Sequence, residues 1–94
     1  MIHTESVSTD QLNTGDVVYN HGMRLVIDQE ITSCPGTGNN TIYRTSARID
    51  NWAEMVERAE SDPTIAGFIV RQSPQQRWVI QGNELARWGR EIRV

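Results

Sequence analysis

Turn-forming residues punctuate this chain so closely that only short elements fit between them, and this spacing sets its fold class. Asn13-Thr14-Gly15-Asp16, His21-Gly22, Asp62-Pro63, Ser73-Pro74-Gln75-Gln76 and Gly82-Asn83 each break the chain. Most runs between them are β-branched or aromatic, the composition of a half-buried strand. Val17-Val18-Tyr19 and Met23-Arg24-Leu25-Val26-Ile27-Asp28 flank His21-Gly22, which predicts a β-hairpin. Further strands are expected over 2–8, 41–49, 65–70 (carried by Phe68-Ile69-Val70) and 77–81. Residues 90–94, with Ile92 and Val94 on one face, predict a closing edge strand. The stretch 33–40, with Pro35, Gly36, Gly38 and two Asn, predicts a loop.

One segment follows the other period. Trp52, Met55, Val56 and Ala59 fall at i, i+3, i+4 and i+7, an apolar helical stripe opposed by Glu54, Glu57, Arg58 and Glu60. Asn51 with Glu54 three residues on has the form of a capping box, and Asp62-Pro63 stops the helix, so it is expected over 51–61. Asn83 predicts a cap for one further helical turn over 84–88, with Leu85 and Trp88 facing one way and Gly89 at its left-handed end. The fold class is therefore α+β, mostly β. It is a small twisted antiparallel sheet, or a partly open SH3-like barrel, with one α-helix. With 94 residues, the chain makes a single small globular domain over 1–94.

Charge and cysteine content narrow the function classes. The formal net charge is −3, which argues against a general polyanion binder. The charge is uneven: residues 1–70 carry four Arg against ten Asp and Glu, a net of −6. Residues 71–94 carry five Arg against two Glu, a net of +3. Every basic residue is Arg, as in proteins of GC-rich genomes. Cys34 is the only cysteine, so an intramolecular disulfide scaffold is excluded. The sequence begins without a basic start or an apolar stretch, and no apolar run approaches spanning length, so no membrane association is expected. Asn39-Asn40-Thr41 fits a glycosylation sequon but reads as a turn.

Catalytic chemistry finds no foothold. His3, His21 and Cys34 lack the spacing of a metal site, and Cys34 has no base at a predictable position. Gly36-Thr37-Gly38-Asn39-Asn40 lacks the Gly-Lys-Ser/Thr and the following helix of a phosphate loop. The Glu54, Glu57, Glu60 ridge reads as a solvated helix face. No cofactor, metal or catalytic residue is expected. The candidate binding residues are Arg77, Trp78, Gln81, Asn83, Arg87 and Trp88. Arg beside Trp permits cation–π contact and stacking on unpaired bases, whereas two buried indoles explain the same residues more simply.

Leu12-x-x-Gly15-Asp16-Val17-Val18 with His21-Gly22-Met23-Arg24, and Arg77-Trp78-x-x-Gln81-Gly82-Asn83-x-x-Ala86-Arg87-Trp88, frame most of the chain. On these segments it resembles small accessory proteins of actinobacteriophages. The resemblance implies a phage origin and the host cytoplasm, and carries over no activity. The expected function is a non-enzymatic phage accessory protein that binds a host or phage protein. Alternatives are a nucleic-acid-binding small β-barrel or a structural virion component, and a homo-oligomer is compatible with each.

Overall fold

The computed structural model describes residues 2–92. Seven strands, β1 (Thr4–Ser8), β2 (Val17–Asn20), β3 (Met23–Ile27), β4 (Thr32–Pro35), β5 (Thr41–Ile49), β6 (Arg77–Gly82) and β7 (Arg87–Glu91), form one antiparallel sheet. A 3-10 turn (Thr9–Gln11) follows β1, and two helices, α1 (Trp52–Ala59) and α2 (Pro63–Ala66), lie between β5 and β6. The structure is mostly β, as the turn spacing requires, and the sheet does not close.

The β2–β3 hairpin forms as expected. Asn20 pairs with Met23, leaving His21-Gly22 as a two-residue loop. Both have positive φ, +52° and +84°, the primed-turn geometry that matches the twist of the flanking strands. β5 also occupies the residues predicted for it. It is the longest strand and holds the sheet together: Ala47 faces Ile27 on one side and Trp78 on the other. Arg44 likewise lies between Thr32 of β4 and Gln81 of β6. β3 and β4 thus share one edge of β5, and β6 takes the other.

Period-2 burial identifies the inner face. Met23, Leu25 and Ile27 of β3 and Thr45, Ala47 and Ile49 of β5 point inward and are buried, with Ile80 of β6. α1 lies against this face, burying Met55 and Ala59 and packing Trp52 and Val56 beside them, the stripe read from the sequence.

Five expectations are corrected. Residues 33–40 are not all loop, because Thr32–Pro35 pairs with the start of β5, and Gly36 N–H to the Asn40 carbonyl closes the hairpin. Cross-strand bonding there outweighs a turn-rich composition, and Pro35, which has no N–H, ends the strand. Phe68-Ile69-Val70 is not a strand. Pro63 starts α2 as well as stopping α1, with Asp62 accepting the Thr64 N–H at 3.0 Å, and Ile65 and Ile69 are buried four residues apart.

Residues 84–88 form no helical turn. Asn83 Oδ1 accepts the Leu85 N–H at 2.9 Å in a tight turn, Leu85 is exposed, and Gly89 lies inside β7. The last strand is not an edge, since β7 sits between β1 and β2 (Val94 falls outside the described residues). Nor does Asn51 cap α1 with its side chain: its Oδ1 accepts the Arg24 N–H and its Nδ2 donates to the Gly22 carbonyl and Glu54. It fastens the helix start to the β2–β3 hairpin.

Candidate functional site

Adjacent strand residues point to opposite faces, and this parity separates the candidate residues. On β6, Trp78 and Ile80 face inward, so Arg77, Val79 and Gln81 face outward. On β7, Trp88 pairs with buried Val7 on the inner side, and Arg87 faces out. Each Arg–Trp pair is split across the sheet, so neither Arg stacks on its neighbouring indole.

The two indoles also lie in separate environments. Trp78 packs edge-on against Phe68 at 5.6 Å between ring centroids and against His21 at 6.4 Å, while His21 and Phe68 lie 5.5 Å apart. Trp88 donates its Nε1–H to the Thr9 hydroxyl at 3.0 Å, and that hydroxyl donates to the Asn83 carbonyl at 3.1 Å. Both indoles are half-buried against the core. The arginines are also engaged. Arg77 bonds to Ser46 and to both carboxylate oxygens of Asp28, and Arg87 bonds to the hydroxyl and carbonyl of Ser6. Gln81 is exposed beside Arg44. The six candidates therefore do not converge on one platform.

The outer face carries a charge network that joins four strands. Arg24 reaches Asp50 and Glu91, Arg48 donates to Asp50 at 2.7 Å, and the Tyr19 hydroxyl donates to Glu91 at 2.8 Å. Hydrogen bonding from Arg48, joined by Arg24, holds the Asp50 carboxyl below the usual carboxylate range. The Arg77 bond does the same for Asp28. Burial, and then the bond to Glu91, push the Tyr19 phenol up. On the opposite face, Arg90, two residues from Trp88 and paired with Val18, ties Glu5 to Asp16 at the far end of the sheet. These groups neutralise one another and hold strands in register. No group of three metal-ligating side chains occurs among the described residues, and no helix there is long and apolar enough to cross a membrane.

Like the end strands β1 and β4, β6 pairs with a single neighbour among the described residues, so its other edge makes no ladder, but it differs from them in what that edge carries. The Thr9 contact covers only its end, where a Cβ on Gly82 would fall 2.6 Å from Ala86 Cβ and 2.9 Å from Thr9 Oγ1. Over Arg77-Trp78-Val79-Ile80-Gln81 the strand has no Pro and no inward charge, and its one charged residue, Arg77, is bonded to Ser46 and Asp28. β1, by contrast, carries Glu5 on the face of Val7, and β4 ends in Pro35. Val79 stands 47% exposed at its centre. The sequence reading passed over Val79 and Arg44. The signal for Val79 was present, because inward Trp78 and Ile80 force the residue between them outward. Protein-family models, curated proteins and solved structures show no match to this chain.

Proposed function

We propose that this chain is a non-enzymatic accessory protein of an actinobacteriophage, acting in the host cytoplasm as a binding module for a host or phage protein. The observation that carries the reading is the unpaired edge of β6, with no Pro or inward charge and with Val79 exposed at its centre. An edge of this kind offers unpaired N–H and C=O groups to an extended segment, a recurrent mode of peptide recognition. The charged side chains elsewhere on the sheet are occupied with one another, which suits a scaffold more than a reaction centre. Nucleic-acid binding through Arg77, Trp78, Arg87 and Trp88 has less support, because both indoles turn inward against the core.

The test places a photo-crosslinking amino acid at position 79 and, as a control, at Glu57 on the exposed side of α1. In extracts of infected host cells, a discrete protein adduct is expected from position 79 alone. Equal labelling from both positions, or none from either, would overturn the reading.

A further inference from the structure

The chain is acidic overall, yet the outer face of its β5–β6 pair carries three arginines and no carboxylate. Arg44, Ser46 and Arg48 of β5 lie beside Gln81, Val79 and Arg77 of β6 respectively. The carboxylates that answer this charge, Asp28 and Asp50, lie just beyond the ends of β3 and β5, on the side away from the free edge. The Arg44 carbonyl accepts from the Thr32 hydroxyl, but its guanidinium makes no hydrogen bond or ion pair among the described residues. Arg44 lines a depression with Glu30, Thr32, Ser46, Arg77 and Val79.

We infer that the segment accepted by β6 is an extended acidic strand, with an apolar residue opposite Val79 and carboxylates two positions to either side. This rests on the binding-module reading above and specifies its partner. In an antiparallel addition, alternate residues of β6 bond to the newcomer through N–H and C=O groups turned away from β5. The residue opposite Gln81 then lies two strand spacings, about 9.6 Å, from the Arg44 backbone, a gap that an arginine and a glutamate side chain together span. The residue opposite Arg77 competes with Asp28 for its guanidinium. A second copy of this chain fits poorly, because β6–β6 pairing would gather six arginines on one four-stranded face. The depression offers a small anion one free cation with the Glu30 carboxylate beside it, whereas a strand supplies backbone bonds as well as charge.

The experiment titrates isotopically labelled protein with a capped decapeptide whose core is Glu-Thr-Val-Thr-Glu, following backbone amide shifts and hydrogen exchange. Shifts and exchange protection at alternate amides within 77–81 are expected. The same peptide with both Glu replaced by Lys should leave those amides unmoved. Arg44→Glu, at a side chain with no structural partner, should weaken binding at least about fivefold, and raised salt should weaken it in the unmodified protein.

Equal binding of the Lys peptide, indifference to Arg44→Glu, or no response to the acidic peptide at millimolar concentration would overturn the inference. So would protection of the same amides by self-association, or by a single-stranded oligonucleotide in preference to the peptide. A partner crosslinked at position 79 alongside any of these results would leave the binding-module reading standing and remove only the acidic strand.

Discussion

The hydroxyl of Thr9 accepts the indole N–H of Trp88 at 3.0 Å and itself donates to the carbonyl of Asn83 at 3.1 Å. This fully buried threonine joins the turn after β1 to β7 and to the end of β6, which belong to different parts of the sheet. It bridges the end of the sheet that no ladder closes. Thr9→Val keeps the shape and removes both bonds, leaving a half-buried donor on Trp88 and a half-buried acceptor on Asn83 without protein partners. A loss of about 1–3 kcal/mol is expected, less than two fully buried orphans would cost because water reaches both groups in part. Thr9→Ser should retain most of the stability. Urea unfolding of both variants checks this, and equal midpoints for Val and Ser would rule out the hydroxyl's role.

Asn51 does for the helix what Thr9 does for the sheet end. Its amide accepts from Arg24 N–H at 2.8 Å and donates to the Gly22 carbonyl at 3.0 Å, so α1 is held on the β2–β3 turn. Asn51→Ala should cost about 1–3 kcal/mol. Asn51→Asp keeps the acceptor and loses the donors, and should fall between Ala and the unmodified protein. Hydrogen exchange should locate the Ala defect in both α1 and the hairpin.

The outer-face carboxylates give stability an acid limb. Arg77 holds Asp28, and Arg48 holds Asp50, more acidic in the folded state than in the unfolded chain. A depressed carboxyl group contributes stability that is present above the unfolded value, near pH 4, and is lost as pH falls through the folded value. The midpoint gap between the protein and its Asp50→Asn variant should therefore be widest near neutrality and shrink below about pH 4. The effect is small because these side chains are about one-third exposed. A gap that widened in acid would contradict the assignment.

Cys34 lies on exposed β4 and should react with a thiol reagent in the native protein as fast as in denaturant. Gly82→Ala should be among the most damaging single-methyl additions, at about 1–3 kcal/mol or more. The new methyl would meet the Cβ of Ala86 and the Oγ1 of Thr9, short side chains with no room to swing away. Thermal unfolding of Gly82→Ala beside an exposed Ala control measures the difference.

Local chemistry alone determined several elements of this protein. The His21-Gly22 turn needs two positive φ values within a two-residue loop, the 41–49 run is built of strand-favouring residues, and the α1 stripe repeats every 3.6 residues. Each signal is complete within a dozen neighbouring residues, so each was legible in the sequence. The elements that tertiary structure decided have weak or conflicting local signals. Thr32–Pro35 becomes a strand only because β5 offers it an edge. Phe68 and Ile69 leave strand geometry because Asp62-Pro63 starts a second helix that buries Ile65 and Ile69.

The candidate site divides in the same way. Sequence placed Arg beside Trp at 77–78 and at 87–88, but strand parity sent each pair to opposite faces once Ile80 and Val7 were seen to be buried. It could not show that β6 would be left with an unpaired edge, because such an edge is defined by the strand that fails to pair with it. The short turn-bounded runs that require a β-rich fold thus left open which runs would lie at an edge. Only the order of strands in the sheet settles that, because pairing joins residues far apart in the chain.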